Sequence, residues 1–189
     1  MDAITALRTR RSTRAFSPEP VARALIGELI EDVLHAPYTP GAGASPWRFT
    51  VISGPKRLAG YGDRALHYAR ANRPRIEGYE WTERAGFSVF HGAPAAIVIC
   101  GREDYAQALQ ECIRAGQLLD IAAHARGLGV CWVGSPMLWL GDAAVRAELA
   151  IPEGWTACAV FVLGWPYGEE GRAPSARPEP TIDWIGEEL

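Results

Sequence analysis

The sequence predicts a mixed α/β or α+β domain layered around one sheet, and three observations carry that prediction. Helical and extended patterns alternate along the chain. "APAAIVIC", residues 93 to 100, is a continuous apolar run of strand length, suited to a strand buried on both faces. Residues 104 to 126 give the longest helical pattern, with Tyr105, Leu109, Cys112, Gly116, Leu119 and Ala123 on its main apolar line. Ala108, Ile113, Ala115 and Ala122 widen that line beyond one face, so this helix is expected to be largely buried, its small residues permitting close packing against another subunit.

The other elements follow in order. A short helix from Asp2 to about Thr9 is expected to turn Ile4 and Leu7 inward. Val21, Leu25, Leu29 and Val33 recur every four residues, with Ile26, Ile30 and Leu34 beside them, until Pro37 stops the second helix. "APYTPGAGASP", 36 to 46, is a loop by its Pro and Gly content. "WRFTVIS", 47 to 53, reads as a strand ended by Gly54-Pro55, and 56 to 72 as a helix. Residues 73 to 92 carry Tyr79, Trp81, Phe87 and Phe90 with no clean period, and are expected to be a lid or helical excursion. "GVCWVG" is then a strand, 141 to 150 a short helix, "TACAVFVLGW" a strand, and 166 to 189 an arm that docks on something. No repeat or linker interrupts this order, so residues 1–189 read as one domain.

Charge excludes whole classes of function. The net charge is −3 and the pI near 5.8, which speaks against a nucleic-acid or membrane-surface binder with a broad basic field. Cys100, Cys112, Cys131 and Cys158 are widely spaced in apolar runs and read as buried reduced thiols. His35, His67, His91 and His124 have no ligand spacing, and no metal is expected. Nothing approaches the ~18 uninterrupted apolar residues of a membrane span or a signal-peptide core, so a cytoplasmic location is the default expectation.

Phosphate loops fail on their spacing. "GLGVCWVG" has Trp132 where a dinucleotide fingerprint needs glycine, "GAGASP" has Pro46, and "SGPKRLAG" lacks the P-loop ending. There is no G-x-S-x-G, and Glu19, Glu28 and Asp104 show no pairing that separates them from solvated helix-surface charges.

What remains is "RTRRSTRAFSPEPV", 8 to 21, where Arg8, Arg10, Arg11 and Arg14 crowd into seven positions of a chain whose only lysine is Lys56. One reading is a solvated basic turn at a helix C-terminus, favoured by the helix dipole. The other is an anion grip: guanidinium forks from Arg10 and Arg14, on one side of an extended segment with the Ser12 hydroxyl, suit a phosphate monoester.

"RRSTRAFSPEPV" resembles the opening motif of the nitroreductase-like flavoprotein family. "SPWRF" (45 to 49) resembles its second motif, "GLGVCWVG" (127 to 134) its third, and "LGWP" with "ARPEP" (163 to 166, 176 to 180) its closing segment, all in the family's order. The resemblance implies an FMN enzyme on a central mixed sheet flanked by helices, an intertwined homodimer with two flavins at the interface. It assigns Arg10, Arg11, Ser12 and Arg177 to the FMN phosphate and ribityl chain, and Arg14 to the polar edge of the ring, where positive charge favours the reduced flavin. It brings the Gly134 and Ser135 amides near N5 and O4, and Gly43, Ser45, Pro46 and Trp47 to the ring as the second motif. The long helix would form the dimer core and the tail would wrap the partner.

One departure stands out. The second motif of the family usually reads Asn-x-Gln-Pro-Trp, and here Gly43 and Ser45 replace both amides in a longer loop. Backbone groups of that loop, or Ser45 itself, would have to substitute.

The activity so implied is a ping-pong reduction through flavin N5: NAD(P)H gives hydride and leaves, and a nitroaromatic, quinone or related conjugated acceptor takes the electrons. Tyr38, Tyr79, Trp81 and Phe87 are the candidates for the substrate pocket; core or dimer packing accounts for each of them equally well. Rival readings are a specialised flavin dehydrogenase or dehalogenase of the same fold, and a non-catalytic flavin-binding or flavin-free dimeric module.

Overall fold

A computed structural model describes residues 1–38, 45–73, 78–168 and 178–186. Its centre is a four-stranded sheet, β1 (Arg48–Ser53), β2 (Ala95–Arg102), β3 (Gly129–Trp132) and β4 (Trp155–Gly164), in the order β1-β2-β4-β3. All three pairings within it are antiparallel. Parallel pairing enters through a single bridge, Ser12 to Val130, where the N-terminal segment runs beside β3. The α+β class predicted from the sequence is the class observed.

Alternation along the central strands sends side chains to both faces, and helices cover each. Ile97, Ile99, Ala159, Phe161 and Leu163 pack with α2 (Arg23–Val33) and α4 (Ala108–Ala125). Ala96, Val98, Cys100, Val160 and Val162 pack on the other face with α3 (Pro55–Asn72), α5 (Met137–Leu140) and α6 (Ala143–Glu148). Double coverage is why β2 is buried from Ala95 to Gly101, as its unbroken apolar run demands. A β-bulge between Ile99 and Cys100 slips the register, so that Cys158 and Ala159 both join the α4 side. All four cysteines are free and buried.

Two glycines let the layers close. A Cβ on Gly129 would lie 2.6 Å from Thr13 Oγ1, so a side chain there would push the N-terminal segment off β3. A Cβ on Gly116 would run into the Phe161 ring, so the missing side chain is what seats α4 on β4.

Several expectations are corrected. In α1 (Ala3–Thr9) the buried residue is Ala6; Ile4 and Leu7 are 57% and 53% exposed, because α4 meets the narrow Ala6 face. The long helix is buried on one face only: Leu109 and Ile113 are exposed, since the sheet can cover one side of it. Val21 lies ahead of α2 and Leu34 is exposed at its end. Within 73 to 92, read from the sequence as a lid or a helical excursion, the described residues hold a 3-10 helix, Glu80–Glu83, and Thr82, Val89 and Phe90 are buried. The four-residue α5 was not anticipated. The arm from 178 to 186 is exposed and has no helix or strand.

Candidate functional site

The arginine cluster splits by side-chain direction. Its segment leaves α1 at Arg10 and turns extended; Thr13 N–H donates to Val130 O at 2.8 Å, and Ser17 N–H to Trp165 O at 2.8 Å. Pairing with β3 fixes which side chains face the sheet end. Arg10 and Ser12 line one cavity of about 190 Å³ together with Ile113, Gln117 and Asp120 of α4 and Trp132, Ala159 and Phe161 of the sheet. Arg11 turns back, its Nη1 donating to the carbonyls of Arg10 at 2.7 Å and Arg8 at 3.3 Å. Arg14 is exposed; after burial itself, its charge is what holds His91 below the ordinary imidazole value.

The cavity floor is aromatic and its wall is charged. Trp132 stacks on Phe161 with centroids 6.3 Å apart. Arg10 Nη1 lies 3.1 Å from Asp120 Oδ2. One turn further along α4, His124 Nε2 is 2.9 Å from Thr9 Oγ1, and burial with the Arg10 and Arg11 charges holds that ring below its ordinary value. The Thr9 hydroxyl donates to Thr5 O at 2.7 Å, which leaves its oxygen to accept from the imidazole. Sequence reasoning missed Asp120 and Gln117; helical spacing from Ile113 was the only available signal.

The other predicted residues lie apart from this wall. Gly134 and Ser135 follow β3 at the turn into α5; Met137 N–H donates to Gly134 O at 3.1 Å, and a Cβ on Gly134 would meet nothing within 4 Å. Ser45 Oγ donates to Trp47 O at 2.9 Å and accepts from Trp47 N–H at 3.3 Å, closing the turn into β1. Pro46 and Trp47 are buried, and the Trp47 Nε1–H has no hydrogen-bond partner among the described residues. Gly43 and Arg177 lie outside the described residues.

Tyr38 meets Trp47 edge-on at 5.6 Å. Tyr79, Trp81 and Phe87 form an aromatic run, with centroids 6.3 and 5.2 Å apart, and Trp81 and Phe87 pack on the α3 side of the core. None of these four lines the Arg10 cavity. A larger cavity of about 620 Å³ between α3 and α5–α6 contains none of the predicted site residues; its cation, Arg64, is held by Glu148 at 2.7 Å. Among the described residues, no group of three or more His, Cys, Asp or Glu is placed to hold a metal ion, and no helix is long and apolar enough to cross a membrane.

An antiparallel sheet between helical layers, with an arginine, a serine and an aspartate lining a cavity at its β3 edge, defines an α+β protein with a charged cavity at the margin of its sheet. The chain belongs to the nitroreductase family, whose family model matches residues 7–165. An NADH dehydrogenase from Thermus thermophilus is 30% identical over 208 residues, covering 97% of this chain and 96% of that one. A 5,6-dimethylbenzimidazole synthase from Rhodospirillum rubrum is 30% identical over 197 residues, covering 92% and 89%. A nitroreductase with bound FMN from Bacteroides fragilis shares the fold, with a TM-score of 0.82 over 99% of this chain and 100% of that one at 19% identity.

Proposed function

We propose that the protein is an FMN-dependent oxidoreductase that uses NAD(P)H to reduce a nitroaromatic, quinone or related conjugated acceptor in two half-reactions, and that it works as a homodimer. The observation that carries this reading is the convergence of Arg10 and Ser12 on one cavity at the edge of a nitroreductase-family sheet. A guanidinium fork and a hydroxyl are the donors a phosphate monoester takes.

The residues present fit the cofactor. The space beside Gly134 would let a planar ring approach the backbone, and Trp47 Nε1–H is a buried donor with no partner among the described residues. When bound, FMN supplies two-electron hydride chemistry at N5, which no side chain around the cavity provides. The chain's own work would be positioning: Arg10 and Ser12 would hold the phosphate end, the Gly134 and Ser135 amides would serve the ring's polar atoms, and Arg14 would supply positive charge toward the ring. Arg11 and Ser45, engaged in local hydrogen bonds, contribute by shaping the backbone.

A cavity of about 190 Å³ is below the 300–1,000 Å³ usual for a drug-sized ligand, so one chain forms part of the site. Ile113 and Trp132, which line it, are exposed, as are Ile4, Leu7, Leu109 and, on the arm, Ile182, Trp184 and Ile185. That much apolar surface calls for a partner, and a second copy covering Ile113 and Trp132 would close the cavity.

The test is to purify the protein without added flavin, record its visible spectrum and identify what heat releases. Bound FMN that NAD(P)H bleaches is the expected result. A colourless protein that also refuses added FMN overturns the reading and brings the non-catalytic module forward.

A further inference from the structure

The Arg10 guanidinium reaches its cavity already carrying a carboxylate. The Arg10 and Asp120 side chains are 3.1 Å apart at Nη1 and Oδ2 and only 19% and 13% exposed, so water screens the pair little. The second Asp120 oxygen, Oδ1, is buried with no hydrogen-bond partner among the described residues, and Ser12 and Gln117 share its cavity wall. A carboxylate so placed opposes an incoming anion twice: it neutralises the guanidinium at contact distance, and it repels the anion's charge through a poorly solvated gap.

We propose that Asp120 is an internal competitor for Arg10, the protein's own anion that the phosphate of FMN must displace, and that its ionisation sets how tightly the cavity takes that phosphate. This rests on the flavin reading above and names the residue that regulates the same site.

Protonation is within reach of ordinary conditions. Burial pushes the Asp120 carboxyl up to about 6, with the Arg10 charge pulling the other way. The charge that acts on it is that of Arg10 from the N-terminal segment, and Asp120 in turn acts on Cys131 of β3; one turn along α4, His124 feels Arg10 and Arg11. β4 offers only Ala159 and Phe161, and α2 turns Asp32 and Glu28 toward Arg126 instead. Above its pKa Asp120 holds Arg10; below it, the fork is free. A phosphate monoester loses its second charge near pH ~6, which by itself weakens binding on acidification. The two titrations therefore act in opposite directions, and the carboxylate can be isolated by comparing Asp120 with asparagine.

FMN is titrated into flavin-free full-length protein, wild type and Asp120→Asn, following the quenching of flavin fluorescence, with riboflavin as the probe that lacks the phosphate. We expect Asp120→Asn to bind FMN about tenfold tighter at about pH 8, the two proteins to converge at about pH 5, and riboflavin not to tell them apart. Equal or weaker FMN binding by the variant at the higher pH, or the same gain with riboflavin, overturns the proposal. If the asparagine variant does not fold, Asp120→Ser takes its place in the same titrations, with the same outcomes supporting or overturning the proposal. Folded protein that binds no FMN at either pH overturns the flavin reading itself, and this proposal with it.

Discussion

The Phe161 ring fills the space that any side chain on Gly116 would need. Because Trp132 stacks on that same ring and both line the cavity, the contact that seats α4 on β4 also positions the cavity floor. Gly116→Ala should therefore destabilise the protein by ~1–3 kcal/mol, the cost of overpacking, despite the better helix propensity of alanine. Chemical denaturation measures this, and adding Phe161→Leu should recover part of the loss; two strictly additive effects would refute the contact.

Arg10→Ala should weaken FMN binding by roughly 1.5–3 kcal/mol, the scale of a hydrogen bond to a charged group. Fluorescence titration reads it directly, and unchanged affinity would remove Arg10 from the site. Arg14→Ala should shift the flavin reduction potential downward with a smaller effect on affinity, since Arg14 is exposed and does not line the cavity that holds Arg10 and Ser12.

Ile113 lies on the outward face of α4 and on the cavity rim. In a lone chain Ile113→Arg would be a surface change within about 0.5 kcal/mol of neutral. In the proposed dimer it buries an unpaired charge, so sedimentation velocity should show dimer for wild type and monomer for the variant, with loss of flavin in parallel. A monomeric wild type at micromolar concentration would count against the shared site.

Asp120 also predicts a pH profile for stability. Its carboxyl holds its proton up to about 6 in the folded protein, against an ordinary 3.8. The folded state thus binds more protons between these values, and this group's contribution rises as pH falls through that window, by on the order of 2–3 kcal/mol. His91 and His124, held below their ordinary 6.5 mainly by burial, act in the opposite sense as pH falls. The difference between wild type and Asp120→Asn isolates the carboxylate: in flavin-free protein the variant's advantage in stability near neutral pH should disappear toward about pH 4.

The sequence exposed those features whose physics is local. β2 was legible because strand length and apolar content coincide in one run, and α4 because eighteen helical residues sustain a period. Asp120 was not legible: its partner Arg10 is far away in the chain, and a lone aspartate on a helix has no pattern of its own. Ile4 and Leu7 misled for a related reason, since an apolar stripe states that a face is to be covered without saying by which chain. The spacing of Arg10, Ser12 and Arg14 in an extended segment put all three on one side; Arg10 and Ser12 do line one cavity, while Arg14 is exposed and does not line it.

The bridge between Ser12 and Val130 has a further consequence. β1 and β3 are the two margins of the sheet, and on β3 the chain's own first residues take up the Val130 carbonyl. Removing residues 1–17 would do more than abolish a ligand contact: it would bare a short Val-Cys-Trp margin as a template for strand addition from other molecules. The stretch of chain that carries the proposed phosphate contact thus also caps the sheet, and a shortened protein is expected to aggregate before any defect in binding could be seen.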